Sequence, residues 1–191
     1  MKILTIGTNG FLGSWVNKLL HSEHSNFEIL EIPGKEECDL TEFSEISNYL
    51  KEKSPDIVIN CAAFVGGISY GYKYPVEMLS KNSLMAMNIY KASYDNAIKK
   101  LINPISNCAY PAEFTTYKEE DIFNGPPDKS VFNYALSKRL FIQLGQAYFD
   151  QYTFSSANVV LSNMYGPGDH FYAERSHALG AIIKKICDAK I

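Results

Sequence analysis

Tyr134 and Lys138 are one helical turn apart in the segment NYALSK, which the apolar pattern places on a helix. Residues four positions apart share a helix face, so the ammonium group of Lys138 can lie near the phenol of Tyr134. A nearby positive charge lowers the pKa of a tyrosine from about 10 toward the working range of an enzyme. The pair therefore predicts a proton donor at Tyr134. The same spacing also arises by chance on amphipathic helices, and the pair alone favours a structural role.

A hydroxyl and a thiol follow an apolar strand in the segment KKLINPISNCAYP. Ser106 can hold a substrate oxygen while Tyr134 protonates it, provided that the fold brings the two side chains together. Cys108 taken alone is more often a small buried apolar residue than a catalytic group. The chemistry of this strand end therefore depends on what else the fold places there.

Three glycines follow the first predicted strand in the segment GTNGFLG. Gly7 allows a tight turn, Gly10 lets backbone amides approach a pyrophosphate at a helix N-terminus, and Gly13 permits close helix packing. With Phe11 and Leu12, these glycines form a predicted dinucleotide-binding loop. The spacing is GxxGxxG rather than GxGxxG, and an ordinary turn between a strand and a helix is the alternative.

The end of the second predicted strand carries the groups that would contact the adenosine half of a dinucleotide. Glu31 would bind a ribose diol and favour NAD, whereas Lys35 would neutralise a 2'-phosphate and favour NADP. The sequence does not decide between them, and a solvated strand end is an alternative for both. Asp39, followed by Leu40, can place a carboxylate beside the adenine amine, or can simply precede a helix.

Short β-branched runs alternate with longer amphipathic stretches, which is the pattern of βαβ units. The sequence predicts strands over 2–6, 27–32, 56–60, 99–105 and 156–162, and helices over 11–21, 41–53, 75–97 and 131–151. Thr41 and Pro75 act as the start signals of two of these helices. The expected fold class is α/β, with a doubly wound parallel sheet of the Rossmann type.

Two features interrupt this regular pattern. Pro104 lies within the fourth predicted strand, and proline cannot donate to a strand ladder, so we expect a bulge or an early strand end there. The stretch 111–130 is a long loop that contains the acidic run Glu119, Glu120 and Asp121 and a Gly-Pro-Pro turn. A loop of that length usually covers something.

Composition narrows the class of function. A chain of 191 residues with a net charge of −3 is sufficient for one well-packed domain and carries no basic stripe, so nucleic acid and anionic membranes are not the expected partners. The first apolar run is too short for a signal peptide or a membrane span. The four cysteines form no CxxC pair, which favours free thiols in a reducing cytoplasm, and no metal site is predicted. Small molecules are the expected partners.

The motifs together resemble the extended short-chain dehydrogenase/reductases that act on nucleotide sugars, and most closely the GDP-L-fucose synthases. The matching segments are the glycine loop, CAAFVGGI at 61–68, YP with Asn82, SNCAYP, NYALSK, and SNMYGPGDHF continuing to Ser176 and His177. Most 4,6-dehydratases of this family carry an acidic pair after the serine or threonine at the strand end, and simple 4-epimerases lack the cysteine. The segment from Ser106 to Cys108 matches neither group.

The resemblance implies roles for two residues that the residue pattern alone leaves open. A 4-keto sugar has acidified C–H bonds at C3 and C5, and inversion needs a base on one face of the ring and an acid on the other. Cys108 resembles the base and His177 the acid. Tyr134 would then protonate the C4 oxygen during reduction, while Lys138 orients the cofactor ribose. Cys108 and His177 taken singly are more often a buried apolar residue and a surface histidine.

The resemblance also assigns binding positions and an assembly. It places Ala62, Ala63, Lys138, Asn163 and Met164 at the cofactor, with Asn163 and Lys185 at the substrate. Asn163 as a turn residue and Lys185 as a solvated lysine are the alternatives. The implied cofactor is NADP(H), with NAD(H) as the alternative, and the implied assembly is a homodimer through the helices at 75–97 and 131–151.

Some positions depart from the resembled pattern, and they bear on the substrate side. Phe64 stands where relatives commonly have lysine, Asn107 where they have a second serine, and Gly71 with Tyr72 where they have an asparagine pair. The resembled enzymes are also longer, so we expect residues 1–191 to be a dinucleotide-binding domain ending at the start of the substrate lobe. The leading function is 3,5-epimerisation and 4-reduction of a GDP-4-keto-6-deoxyhexose. The alternatives are another nucleotide-sugar reductase, epimerase or dehydratase, and a catalytically silent NAD(P)-binding module.

Overall fold

The computed structural model describes residues 1–24, 26–171, 176 and 178–189. Its centre is a parallel sheet of five strands in the order β2-β1-β3-β4-β5. The strands are β1 (Lys2–Ile6), β2 (Glu28–Ile32), β3 (Ile57–Asn60), β4 (Lys100–Ser106) and β5 (Ser156–Leu161). The predicted parallel α/β fold of the Rossmann type is confirmed.

Six helices connect or follow these strands. They are α1 (Phe11–Glu23), α2 (Phe43–Lys53), α3 (Ile68–Lys73), α4 (Pro75–Asp95), α5 (Phe132–Tyr152) and α6 (Ala178–Asp188). Helix α1 packs against β1 and β2, whereas α2, α4 and α5 pack side by side. The strand order reverses direction between β1 and β3, and right-handed crossovers therefore place the first two connecting helices on opposite faces of the sheet.

The core forms because the central strands are apolar on both faces, as a parallel sheet covered on both sides requires. Leu4, Val58 and Leu101 are fully buried in the three middle strands, and Ile89 and Phe141 cover them from α4 and α5. This rigid layer fixes the carboxyl ends of the strands, where the loops that carry the predicted chemistry begin.

The boundaries of the four predicted helices lie within two residues of the predictions, and one shift has a clear cause. Helix α2 begins at Phe43 rather than Thr41, because the Thr41 backbone N–H and hydroxyl both bond the Asp39 carboxylate in a turn before the helix. Helix α3 lies in a segment for which no helix is predicted. The loop predicted over 111–130 contains only one short 3-10 turn, Glu119–Asp121.

The expectation of a bulge or early strand end at Pro104 is wrong. Strand β4 continues through Ser106, and Pro104 pairs in register with Val159 of β5. On the other side, the pairing of β4 with β3 ends at Ile102. Pro104 therefore lies beyond the end of the short neighbouring strand, and its missing N–H interrupts no ladder on that side.

Among the residues that the structure describes, no helix combines the length and the apolar character needed to cross a membrane.

Candidate functional site

A cleft of about 1580 Å³ opens at the carboxyl ends of the strands. Loops that follow all five strands line it, together with the first turns of α1 and α5 and one face of α4. In open α/β sheets, ligands bind in this crevice, where the strand order reverses. The cleft is therefore the place to look for the predicted site residues.

The glycine loop forms the floor of one end of the cleft. Gly7 has a φ of +82°, and a Cβ there would lie 2.9 Å from the Ala62 backbone nitrogen, so only glycine fits. Gly10 precedes α1 in extended conformation, and no side chain caps the helix. The first N–H groups of α1 therefore remain available to an anion, and Gly10, Phe11 and Leu12 line the cleft beside them.

Gly13 packs α1 against the turn after β1 and does not itself line the cleft. A Cβ at Gly13 would lie 2.1 Å from the Gly7 carbonyl oxygen. The absent side chain lets α1 start directly against the turn, as the close packing predicted for this glycine requires.

Of the two candidate ribose contacts near the end of β2, Lys35 lines the cleft and Glu31 does not. The Glu31 carboxylate accepts hydrogen bonds from the Thr8 hydroxyl at 2.9 Å and the Asn17 side-chain amide at 3.0 Å, and it does not line the cleft. Lys35 and Asp39 do line it. The pKa of Asp39 is lowered, chiefly by the hydrogen bonds from Thr41 and also by the ammonium groups of Lys35 and Lys81. Burial acts in the opposite direction but does not cancel this effect.

The loop after β3 forms the opposite wall, and Asn82 of α4 holds it in place. The Asn82 side chain accepts a hydrogen bond from the Phe64 backbone N–H and donates one to the Phe64 carbonyl, both at 2.9 Å. Asn82 is almost fully buried, so it supports the wall from behind rather than facing the cleft. Ala62 and Ala63 line the cleft beside Phe64, at the positions predicted for cofactor contacts.

The structure brings Ser106, Cys108 and Tyr134 to the same part of the cleft. The Ser106 hydroxyl oxygen accepts a hydrogen bond from the Cys108 backbone N–H at 3.2 Å, which fixes the turn after β4. Burial raises the pKa of Tyr134 well above its ordinary value, and a charge on Cys108 raises it further. The thiol and the phenol are therefore electrostatic neighbours.

Lys138 is buried beneath the Tyr134 ring, and it does not lower the pKa of Tyr134 as predicted. Its ammonium group donates to the Pro104 carbonyl oxygen at 3.1 Å and lies 5.6 Å from the centre of the Tyr134 ring. Burial lowers the pKa of Lys138 to about 8, while the Cys61 thiol opposes that shift. The prediction that Lys138 lowers the Tyr134 pKa is wrong in this state, because desolvation of the phenol dominates.

The later segments contribute unequally. Asn163 and Met164 follow β5 and line the cleft, whereas Lys185 lies on α6 outside the lining. His177, the predicted acid, lies outside the described residues. Ser176, a neighbour of His177 in the sequence, lines the cleft.

The sequence reading missed the face that α4 presents to the cleft. Met78, Lys81 and Met85 line it, at the spacing of one helix face. Lys81 lies over the Phe64 ring, with its ammonium group 4.8 Å from the ring centre. The sequence feature that could have revealed this face is the helical spacing of these residues around Asn82, one of the positions that carry the family resemblance.

Comparisons with known proteins agree with this arrangement. The chain is 35% identical to a GDP-L-colitose synthase from Yersinia pseudotuberculosis, over 99% of this chain and 61% of that protein. It is 34% identical to a GDP-L-fucose synthase from Azorhizobium caulinodans, over 97% of this chain and 59% of that protein. A GDP-L-fucose synthetase structure from Naegleria fowleri with NADP bound superposes with a TM-score of 0.85 at 29% identity, covering 98% of this chain and 62% of that one.

The chain thus spans about 60% of the length of these relatives. The family model of NAD dependent epimerases and dehydratases matches residues 3–190, almost the whole chain. Its match agrees with the glycine loop at the start of α1 and with the tyrosine and lysine that share the cleft. The chain belongs to the NAD dependent epimerase/dehydratase family.

Proposed function

We propose that this chain is the NADP(H)-binding and catalytic part of an enzyme that epimerises a GDP-4-keto-6-deoxyhexose at C3 and C5 and reduces it at C4. One observation carries the proposal: Ser106, Cys108, Tyr134 and Lys138 share a single cleft with the glycine loop. The names of the GDP-L-fucose and GDP-L-colitose synthases support the GDP-sugar class. Residues 1–191 form the dinucleotide-binding domain in this proposal.

The residues of the cleft fit a dinucleotide. The glycine loop leaves backbone space that a Cβ would fill at Gly7, and the uncapped start of α1 suits a pyrophosphate. Lys35 rather than Glu31 faces the cleft at the end of β2, which supports NADP(H) over NAD(H). Bound NADPH supplies the hydride for C4 of the sugar.

Reduction at C4 needs a protonated donor beside the carbonyl oxygen. The raised pKa of Tyr134 keeps its phenol protonated at neutral pH, so the hydroxyl can donate to the developing alkoxide. Ser106 orients the same oxygen through its hydroxyl. Lys138, beneath the phenol, replaces the proton or stabilises the phenolate once the transfer has taken place.

Epimerisation uses a different pair of groups in the same cleft. The Cys108 thiolate removes the proton next to the ketone, the electron pair moves into the enolate, and an acid on the other face returns a proton to carbon. His177 is that acid in this proposal. Cys108 and Tyr134 line the same cleft, and a charge on Cys108 raises the pKa of the Tyr134 phenol, so the base and the proton donor can act on one sugar ring.

The proposed assembly is a homodimer through α4 and α5. These helices pack against each other, yet they leave large apolar side chains exposed to solvent: Leu84, Met87 and Phe149 are 42%, 45% and 54% exposed. Burial of such side chains against a second copy of the same helices is the usual way in which a surface of this kind is covered.

Solvent exchange tests the proposed chemistry without a hydride donor. Incubation of the chain with GDP-4-keto-6-deoxymannose in D₂O, with no NADPH, should incorporate deuterium at C3 and C5. Cys108→Ser should abolish that exchange and leave some reduction when NADPH is added, whereas Cys187→Ser, at an exposed position of α6, should change neither.

Two results contradict the proposal at different points. Unchanged exchange in Cys108→Ser removes the thiol from the mechanism. Binding of NADPH by the wild-type chain with neither exchange nor reduction identifies it instead as a nucleotide-binding module without turnover of its own.

A further inference from the structure

The short turn that carries Cys108 is held at both of its ends by side chains. At its start, the Ser106 hydroxyl oxygen accepts a hydrogen bond from the Cys108 backbone N–H at 3.2 Å. At its end, the Nε–H group of Arg139 on α5 donates to the Ala109 carbonyl oxygen at 2.7 Å. Ala109 is fully buried, so water is a poor substitute for this donor. The Cys108 backbone therefore lies between two anchors, one on β4 and one on α5.

The Arg139 guanidinium bonds this turn and makes no ion pair with a described residue. No carboxylate in the described part of the chain lies at ion-pair distance from it, and this includes the acidic run at 119–121. Its Nη2 atom is buried and has no hydrogen-bond partner among the described residues. A hydrogen bond from a charged donor is stronger than one between neutral groups. The bond to the Ala109 carbonyl is therefore the principal polar contact of this side chain.

The long loop that follows the turn packs on Arg139 and not on the cleft. The centre of the Phe123 ring lies 5.7 Å from the guanidinium carbon of Arg139. The Ala112 backbone N–H donates to the Pro126 carbonyl oxygen at 3.1 Å and so closes the base of the loop. None of residues 111–128 lines the cleft. The loop therefore covers the side chain that anchors the turn.

We propose that Arg139 is a positioning residue for the epimerisation, which holds the Cys108 turn through the Ala109 carbonyl so that the thiolate reaches a C–H bond of the sugar. This inference rests on the role of Cys108 proposed above. Arg139 does not line the cleft, so it acts through the turn rather than on substrate or cofactor. Proton removal from carbon needs close contact between base and hydrogen, and a displacement of about 1 Å can cost about a hundredfold in rate.

Reduction should depend much less on this anchor than epimerisation does. Ser106, which orients the C4 oxygen in the proposed reduction, is the last residue of β4 and pairs in register with Leu161 of β5. Tyr134 is fixed by its place on α5. Cys108 lies outside both elements, in the turn that Arg139 anchors. Loss of the anchor should therefore separate the two activities.

Arg139→Met removes the donor and keeps an unbranched side chain. Deuterium incorporation into GDP-4-keto-6-deoxymannose in D₂O without NADPH should fall about tenfold to a hundredfold, with the KM for the sugar unchanged. The variant should keep the reduction that Cys108→Ser keeps when NADPH is added. Arg139→Lys should recover part of the exchange, because its ammonium group can donate to the same carbonyl.

A second measurement follows the Cys108 thiol without any turnover. Alkylation by iodoacetamide, read by mass spectrometry and normalised to the exposed Cys187, should be about threefold or more faster at Cys108 in Arg139→Met, because a loosened turn opens more often. Gln146→Met is the matched control on the same helix, since its amide bonds Asp150 and does not reach the turn. This control should leave both exchange and alkylation at the wild-type values. All proteins are assayed well below their melting temperatures.

The outcomes separate this inference from the proposed function. A wild-type protein that shows no exchange contradicts the role of Cys108 and overturns the inference with it. Wild-type exchange that Arg139→Met retains overturns the role of Arg139 alone. An equal loss of exchange and reduction also overturns it, because Arg139 would then support the whole site. If Arg139→Met does not fold, Phe123→Ala and Arg139→Lys decide, and wild-type exchange and alkylation in both variants overturn the inference.

Discussion

The buried ammonium group of Lys138 should lower the stability of the folded protein at neutral pH. Its side chain is only 5% exposed, and its ammonium group has one hydrogen-bond acceptor, the Pro104 carbonyl, within the described part of the chain. Burial lowers its pKa from 10.5 to about 8. We expect Lys138→Met to make the protein more stable at pH 7 while abolishing the proposed reduction.

The size of the effect follows from the shift in pKa. A shift from 10.5 to about 8 corresponds to roughly 3 kcal/mol against the charged form at neutral pH. Methionine fills a similar volume without a charge, but it leaves the Pro104 carbonyl without this donor, at a cost of about 1–2 kcal/mol. The net gain in the free energy of unfolding should therefore be about 1–2 kcal/mol.

The pH dependence distinguishes charge from packing. Between pH 8 and 10.5 the unfolded chain binds the Lys138 proton more tightly than the folded chain does, so wild-type stability contributed by this group rises with pH. The advantage of Lys138→Met is complete below pH 8 and disappears as the pH approaches 10.5. Urea unfolding at pH 7 and pH 10 measures it. A variant that is less stable at pH 7, by a margin that does not change with pH, would refute the reasoning.

Two further substitutions, one where α5 packs against β5 and α4 and one behind the wall of the cleft, can be tested by thermal and urea unfolding. Gly145→Ala should destabilise the fold by about 1–3 kcal/mol despite the better helix propensity of alanine, because its Cβ would lie 2.7 Å from the Asn158 side-chain amide and 2.9 Å from the Tyr90 hydroxyl; an increase in stability would contradict this packing. Asn82→Leu should cost about 2–4 kcal/mol and weaken cofactor binding, since both polar backbone groups of Phe64 lose their partner; unchanged binding would show that the wall does not need this support.

Local patterns were sufficient for the parts of the fold that depend on neighbours in the chain. The strands appear within two residues of their predicted positions, and the glycine loop lies where the first strand and helix meet. Gly7 illustrates the reason: its turn is required by the direct passage from β1 to α1, and its positive φ is a local property.

The expectations that were wrong depend on distant parts of the chain. Pro104 is tolerated within β4 because β3 is only four residues long and their pairing ends at Ile102, which no feature of β4 itself reveals. The pKa of Tyr134 depends on the balance between burial and charge, and on the direction in which Lys138 points. Lys138 bonds the Pro104 carbonyl, so both expectations fail at the same place in the structure.

The raised pKa of Tyr134 and the lowered pKa of Lys138 both bear on the proposed reduction. A donor must be protonated when the C4 oxygen becomes negative, and a phenol that already ionises near neutral pH would have lost its proton in part of the population. Burial prevents this loss, and the lysine beneath it has a pKa of about 8, close enough to neutral pH to exchange protons during turnover. The same desolvation that destabilises Lys138 in the folded chain therefore keeps the Tyr134 phenol protonated, as the proposed ketone reduction requires of its donor.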